Sequence, residues 1–209
     1  MARRKKNIKD KKLQSIREAN IQCKLYKSKK TDEYVLKIEI DKALEPACRP
    51  RTTSRFSGMY DPLAAYKNVI KSKVNEYILN LPEKKKKLFP YDKAIRSRII
   101  ITKKPNKTDS LINKFLKIVY SLPVLGRPDI DNIEKTAWDM LLHLVFTDDS
   151  LIYDTHTTKL YGENDYTVIK IYLEKENPII KEYKGKRLSK DESTRIKEIY
   201  NNESEENDE

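Results

Sequence analysis

The chain is poor in the residues that several common kinds of site require. Of its 209 residues, only four are glycine, two are cysteine and two are histidine. Neither of the glycine-rich phosphate-binding motifs, that of P-loop enzymes or that of dinucleotide-binding proteins, occurs in the sequence. Cys23 and Cys48 form no CxxC pair, and His143 and His156 lack partners at zinc-ligand spacing, so a zinc site is excluded as well.

Long apolar runs are also missing. No stretch approaches the ~20 apolar residues that a membrane helix needs, and the basic N-terminus lacks the apolar segment of a secretory signal. Because there is no cysteine framework either, the sequence predicts a reduced, cytoplasmic protein with no membrane contact. Its rich use of lysine, isoleucine and asparagine favours a bacterial or phage source.

Positive charge, in contrast, is abundant and concentrated at one end. The formal net charge is +12, and residues 1–31 hold twelve basic residues against two acidic ones. We interpret this segment as a flexible basic arm that contacts DNA phosphates, with Arg3, Arg4, Lys5 and Lys6 among the binding residues. A merely solubilising tail is the alternative. Residues 177–209 are highly charged and predict a second, partly disordered tail.

Hydrophobic periodicity predicts one domain over residues 32–176. Strands are predicted at 34–41, 95–102, 151–159 and 167–174, the last two joined as a hairpin, and helices at 61–81, 109–120 and from 131 or 132 onward. The middle helix belongs to an insert at about 105–123, and its apolar side comprises Leu111, Ile112, Phe115, Leu116 and Val119. The order predicts an α+β fold of two layers, a small, mostly antiparallel mixed sheet packed against two main helices.

The most informative pattern is a set of acidic residues around the third helix. Asp129 and Asp131 lie at its entrance, Lys135 follows one turn later, and Asp148-Asp149 come after its end. Carboxylates are the donors that Mg²⁺ prefers, with Mn²⁺ as a substitute, and in a basic chain they favour a phosphodiester substrate. A straight helix would separate Asp131 from Asp149 by roughly 25 Å at ~1.5 Å per residue. One site within one chain therefore requires the strands to bring Asp149 back.

Structural roles for the same residues stay open at this point. Asp131 can cap the helix, and Asp148-Asp149 can form a turn before Ser150. A calcium-binding EF-hand is excluded, because its third ligand position is occupied by Ile133 and its twelfth by Met140.

The stretch from Arg127 to Lys135, followed by Asp139, Leu141 and Asp148-Asp149-Ser150, resembles the signature of the RusA family of Holliday junction resolvases. Upstream, Arg49-Pro50-Arg51 and Met59-Tyr60-Asp61-Pro62 resemble that family's proline-arginine loop and its Tyr-Asp-Pro helix start. The resemblance covers about residues 34–174. The arm, the insert and the C-terminal tail exceed the compact family domain.

The resemblance implies a RusA-like fold and a homodimer that nicks two strands of a four-way DNA junction symmetrically. It implies that Asp129, Asp131 and Asp149 are catalytic metal ligands and that Lys135 is required for cutting, with Asp148 as a further candidate ligand. We also expect Arg51 and Arg127 to hold the DNA backbone and Tyr60 to stack on a base or sugar. No small-molecule cofactor is expected.

The leading hypothesis is a metal-dependent, structure-selective endodeoxyribonuclease that resolves Holliday junctions in DNA recombination and repair. The first alternative is a branched-DNA-binding protein with little or no nuclease activity. The second is an RNA-directed or nonspecific nuclease on the same scaffold.

Overall fold

The computed structural model describes residues 13–47, 51–52, 59–175 and 189–195, and only the backbone at positions 51, 52, 59 and 60. The described residues up to Lys175 form one compact unit, and residues 189–195 belong to a second one. In the second unit, residues 190–195 are helical, and Ser189 and Glu192 exchange the two hydrogen bonds of a capping box. Within the described ranges, no helix has the length and apolar character to cross a membrane.

Seven strands are present in the first unit: β1 (Ile21–Lys27), β2 (Tyr34–Ile40), β3 (Arg51–Thr52), β4 (Met59–Tyr60), β5 (Ile95–Lys103), β6 (Ile152–Tyr161) and β7 (Tyr166–Leu173). Five of them form a mixed sheet in the order β1-β2-β7-β5-β6, in which only β5 and β6 run parallel. The short strands β3 and β4 pair with each other as a separate ribbon. The predicted small, mostly antiparallel mixed sheet is confirmed.

The predicted hairpin between the last two strands is wrong. Strands β6 and β7 exist close to their predicted bounds, but β5 lies between them and pairs with both. The loop that joins β6 to β7 therefore passes over the end of β5, where Gly162 donates its backbone N–H to the carbonyl of Lys103 at 3.0 Å. As a result β6 is an edge strand of the sheet.

The first unit also contains the helices α1 (Ala64–Leu79), α2 (Glu83–Lys86), α3 (Leu111–Val119) and α4 (Ile130–Leu141). Asp61 was the predicted N-cap of α1, but that helix starts at Ala64 and Leu63 is its N-cap. The Asp61 carboxylate instead accepts a hydrogen bond from the Leu63 N–H at 2.8 Å, before the helix begins. The N-cap of α3 is Ser110, rather than the expected residue 108 or 109.

One hydrophobic core joins the sheet to α1 and α4. Fully buried side chains come from both layers: Leu36, Ile38 and Ile40 from β2, Ile95, Ile99 and Ile101 from β5, Ile70 and Val74 from α1, Ile133, Ala137, Met140 and Leu141 from α4. The alternation on the strands and the three- and four-residue steps on the helices place these residues on one face of each element. The predicted two-layer α+β fold with two main helices is confirmed.

The basic arm predicted over residues 1–31 is wrong in its second half. Residues 13–17 are helical, Ile16 lies in the core with 1% of its surface exposed, and β1 forms the outer strand next to β2. The signal for β1 is the alternation of Ile21, Cys23 and Leu25 with polar residues, which the count of basic residues conceals. Residues 1–12, which include Arg3, Arg4, Lys5 and Lys6, lie outside the described residues.

Candidate metal and nucleic-acid site

The entrance of α4 presents two carboxylates that have no partner among the described residues. Asp129 is the N-cap of this helix with an extended backbone (φ −72°, ψ 148°), and its side chain makes no capping hydrogen bond. Asp131 lies in the first turn. Both side chains are exposed, and neither forms a hydrogen bond or an ion pair with any described residue. The predicted start of the helix at residue 131 or 132 is one or two residues late, and Asp131 is not its cap.

The segment before α4 is fixed from two sides. The Lys159 ammonium of β6 donates to the backbone carbonyls of Gly126 at 2.8 Å and Pro128 at 2.6 Å. Gly126 has φ +82°, in the left-handed region that glycine adopts without strain. On the other side, the Ala47 N–H donates to the carbonyl of Asn132 at 2.7 Å. These contacts hold the approach to Asp129 against the sheet.

An open cavity of about 520 Å³ lies beside Asp129. Its charged and polar lining combines Lys103 at the end of β5, Arg127, Asp129 and Asn132 with Glu45, and Pro46, Ala47 and Pro128 complete the wall. Two cationic side chains beside the Asp129 carboxylate are suited to a phosphate group that is held together with a cation. The described residues that precede the predicted proline-arginine loop, Glu45 to Ala47, thus lie next to the acidic motif.

Along α4, the charged side follows from the helical period. Asp131, Lys135 and Asp139 recur every four residues and are all exposed, whereas Ile133 and Ala137 on the opposite side are buried. Lys67 of α1 reaches Asp139 at 2.5 Å and Asp61 at 2.8 Å, with only 11% of its side chain exposed. It therefore ties the two main helices together beside Lys135.

The ionisation of this cluster follows from burial and pairing. Burial alone would lower the pKa of Lys67, but its hydrogen bonds to Asp139 and Asp61 outweigh that effect, and the pKa lies above its ordinary value. Burial raises the pKa of Asp61, while its bonds to Lys67 and to the Leu63 N–H, together with the charges of Lys67 and Lys135, lower it by more. Lys135 is therefore close enough to Asp61 to influence its charge.

The second acidic pair lies at the start of β6. Asp148 accepts a hydrogen bond from the Ser150 N–H at 2.8 Å and caps the short 3₁₀ turn of residues 149–151. Its hydrogen bonds with Ser150 lower the pKa of its carboxyl group. Asp148 therefore forms the turn that was one of the structural alternatives for the second acidic pair. Asp149 is exposed and has no hydrogen bond or ion pair with a described residue.

The structure brings Asp129 and Asp131 together and leaves Asp149 apart from them. Lys159, which holds Pro128, and Ile152, next to the turn of Asp149, are seven steps apart along β6, roughly 23 Å at ~3.3 Å per residue. No group of three His, Cys, Asp or Glu side chains that could hold a metal ion occurs in the described part of the chain. The strands do not bring Asp149 back, and the assignment of all three ligands to one site stays a prediction.

Of the predicted DNA contacts, Arg127 lines the cavity and is exposed. The backbones of Arg51 and Tyr60 lie directly opposite each other in the β3–β4 ribbon, so these two positions are brought together. Arg3, Arg4, Lys5 and Lys6 fall in the undescribed residues 1–12, and their roles stay predictions.

Sequence reasoning missed Lys67 and Lys159, which organise the surroundings of the acidic residues. Lys67 contacts Asp139, which is 72 positions away in the chain, and Lys159 contacts Pro128, which is 31 positions away. No local sequence pattern reveals contacts at such separations. A weak signal existed only for Lys67, which lies on the buried side of an amphipathic helix where a lysine requires an acidic partner.

Comparison with known proteins identifies the matched region. The family model described as endodeoxyribonuclease RusA matches residues 43–172, which is more than half of the chain. The matched span contains Lys135 and all four acidic residues of the motif. No curated protein matches the chain.

Proposed function

This chain belongs to the RusA endodeoxyribonuclease family, and from that premise we propose that it resolves Holliday junctions in DNA recombination and repair by hydrolysing one phosphodiester in each of two strands. The observation that supports the proposal most directly is the pair of carboxylates at the entrance of α4, Asp129 and Asp131. They have no partner among the described residues, and Asp129 lines a cavity together with Arg127 and Lys103. An aspartate with a purely structural capping role would accept a hydrogen bond from a backbone N–H of the helix, and the Asp129 side chain does not. These side chains are available for a ligand instead.

We propose that the enzyme requires Mg²⁺, for which Mn²⁺ substitutes. The chemistry of the donors fits: Asp129 and Asp131 are exposed carboxylates at the N-terminus of α4, and neither forms an ion pair with a described residue. Asp149 is the proposed third ligand, and Asp148, one of whose oxygens already caps a turn, is a further candidate. A divalent cation at this position supplies charge neutralisation for the phosphate that is cut.

The remaining residues of the site bind and orient the substrate. Lys135 lies on the same side of α4 as Asp131, one turn on, and its ammonium group is proposed to stabilise the charge that develops on the phosphate. Arg127 and Lys103 face the cavity and hold the backbone phosphates. Arg51 is a second proposed phosphate contact, and Tyr60, opposite it in the ribbon, is proposed to stack on a base or sugar.

Two cuts in one junction need two equivalent sites. We propose that the chain acts as a homodimer, because a two-fold axis relates two copies in the same way as it relates the two strands that are cut.

The test is nicking of a labelled mobile four-way junction with Mg²⁺ and with EDTA, beside linear duplex and RNA of the same sequence. Paired, symmetric nicks that require the metal and occur only in the junction are expected. Tight junction binding without nicks in Mg²⁺ or Mn²⁺ would favour the branched-DNA-binding protein. Equal cutting of duplex or RNA would favour a nonspecific nuclease.

The role of the carboxylates is tested by Asp129→Asn. Nicking should fall at least ~1000-fold while junction affinity stays within about threefold, because a ligand charge is lost but the phosphate contacts remain. Glu163→Gln, which removes one negative charge from an exposed loop, is the matched control and should leave both quantities unchanged. Equal loss of binding and cutting in a folded Asp129→Asn protein would contradict the assignment.

A further inference from the structure

The five-stranded sheet has two faces, and only one of them packs against the helices. At alternate positions of β2, β5 and β7 the residues are buried in the core with α1 and α4, as Ile38, Ile99 and Ile169 show. The residues between them point to the other side, where almost all are exposed or half-buried. Val35, the exception in these three strands, is buried without belonging to the core cluster. We call this side the open face of the sheet.

Five basic residues lie in one line across the open face, one from each strand. The strand pairing sets Lys24 of β1 opposite Lys37 of β2, and Lys37 opposite Lys170 of β7. On the other side of β7, Lys170 lies opposite Arg98 of β5, which in turn lies beside His156 of β6. We call these five residues the basic row. With neighbouring strands ~4.8 Å apart, the row spans roughly 19 Å.

The described acidic residues neutralise only part of this charge. Lys37 pairs with Glu39 at 2.8 Å. That hydrogen bond and the charges of Lys37 and Lys170 lower the pKa of Glu39. The side chains of Lys24 and Arg98 form no ion pair or hydrogen bond with a described residue. Because like charges directly opposite each other destabilise a sheet, an anion that lies along the row relieves a repulsion that the free protein carries.

Aromatic and aliphatic side chains lie next to the basic row. Four of them are half-buried and lie two residues from a member of the row on the same face: Tyr26, Tyr172, Val168 and Ile100. A duplex hides the faces of its bases, and its major groove admits a helix or a two-stranded ribbon, whereas this sheet has five strands. A single strand exposes base faces that stack on such side chains while cations hold its phosphates. The open face therefore fits an unpaired strand better than a duplex.

We propose that the open face is a second nucleic-acid-binding surface, which holds a single strand of DNA along the basic row. The row accommodates at most about six nucleotides, at ~3.4 Å per nucleotide. None of its residues lines the cavity beside Asp129, and α4 packs on the opposite face of the sheet. Binding at the open face requires neither a metal nor a cut, and so goes beyond the proposed function. The protein can then hold an unpaired strand on one side and a junction on the other.

The binding is measured by fluorescence anisotropy of a labelled thymidine oligonucleotide of ~12 residues, in EDTA so that no cutting occurs. The test variant carries Lys24→Gln, Arg98→Gln and Lys170→Gln in the whole chain. It should bind the oligonucleotide at least ~10-fold more weakly than the wild type. The slope of log K against log salt concentration should fall in magnitude by about 2, because each phosphate contact of a single strand contributes about −0.7.

The matched control removes the same charge from exposed positions of α1, of α2 and directly after α2: Lys73→Gln, Lys84→Gln and Lys87→Gln. Its affinity should stay within about twofold of the wild type, because these positions are remote from the open face. Lys170→Glu alone reverses one charge in the central strand of the sheet and should also weaken binding ~10-fold. This single variant gives the answer if the triple variant does not fold.

Two results would overturn the proposal. The first is unchanged oligonucleotide affinity in a folded variant of the basic row, or an equal loss in the control. The second is an equal loss of affinity for a linear duplex, which would mean that the row binds any DNA backbone and does not select a single strand.

Photocrosslinking locates the bound strand. An oligonucleotide in which iodouracil replaces thymine should crosslink to Tyr26 or Tyr172, identified by digestion and mass spectrometry, because bases stack beside the row. Crosslinks confined to residues 1–12 would assign the binding to the N-terminal segment and contradict the open face. Since these measurements need no metal, failure of the wild type to nick a junction would contradict only the proposed function.

Discussion

At the scale of single residues, Lys67 is the least expected feature. It is one of few charged residues in the buried side of a main helix, and it is satisfied by two carboxylates, one from each side: Asp61 before α1 and Asp139 on α4. A lysine without these partners would lose its hydration without compensation. Asp139 lies on the charged side of α4, but its carboxylate pairs with Lys67. We therefore assign Asp139 a structural role, and only Asp129 and Asp131 remain as candidate ligands on this helix.

Replacing Lys67 by Met should lower the free energy of unfolding at pH 7 by about 1–2 kcal/mol, because two carboxylates that are about one-third exposed lose their partner. Urea denaturation measures the change. Lys73→Met is the matched control in the same helix. Lys73 pairs with Glu76 where both side chains are more than half exposed, and its loss should change the stability by less than ~0.5 kcal/mol.

The effect of Lys67 should also depend on pH. The pKa of Asp61 in the folded protein is below its ordinary value of 3.8, so its pairing stabilises the fold above that pH. The stabilisation is lost as the pH falls through the lowered pKa and Asp61 takes up a proton. The stability difference between wild type and Lys67→Met should therefore be smaller at pH 3 than at pH 7. An equal difference at both pH values would contradict the ion-pair origin of the effect.

At the scale of elements, local sequence patterns predicted the strands and helices whose formation depends on residues close together in the chain. The alternation over β2 and β5 and the stripe on α1 gave elements close to the observed ones, because burial of one face repeats with the period of the element. The hairpin of β6 and β7 failed for the opposite reason. A four-residue connection with turn-forming residues favours direct pairing, and the insertion of β5 between the two strands is decided by contacts distant in sequence.

The same distinction applies to the candidate site. The pair Asp129 and Asp131 was predictable, because both residues lie at one helix entrance. From the sequence, the distance between Asp149 and this pair could be judged only from the length of the helix between them. Whether Asp149 returns to the pair depended on the direction in which β6 runs. For α3, the apolar side was predicted correctly, but its outward orientation depends on the inward contacts of Lys117 with Asp109 and Tyr161.

The fixed approach to α4 leads to a prediction for Lys159. Its ammonium group satisfies two backbone carbonyls of the segment that positions Asp129. Lys159→Met should weaken Mn²⁺ binding about 10-fold and lower the free energy of unfolding by about 1–2 kcal/mol. Lys159→Arg keeps the donors and should recover part of both losses. Unchanged Mn²⁺ affinity in the Met variant would mean that the segment is held by other contacts.

At the scale of the whole molecule, the N-terminal basic segment has two parts, residues 1–12 and the residues from 13 onward, of which the second belongs to the folded unit. Residues from 13 onward contribute Ile16 and β1 to the core and sheet, so deleting residues 1–31 would remove an element of the fold as well as charge. The part whose removal tests charge alone is residues 1–12, which contain seven basic residues and one acidic residue.

Deleting residues 1–12 should weaken junction binding and flatten its salt dependence, because each phosphate contact contributes about −0.9 to the slope of log K against log salt concentration. A loss of at least ~2 from the magnitude of that slope is expected. Replacing the seven basic residues with glutamine keeps the length of the segment and should reproduce the deletion, since the effect belongs to charge. An unchanged slope in both variants would assign the segment to solubility, and phosphate binding would then rest on residues of the folded unit such as Arg127 and Lys103.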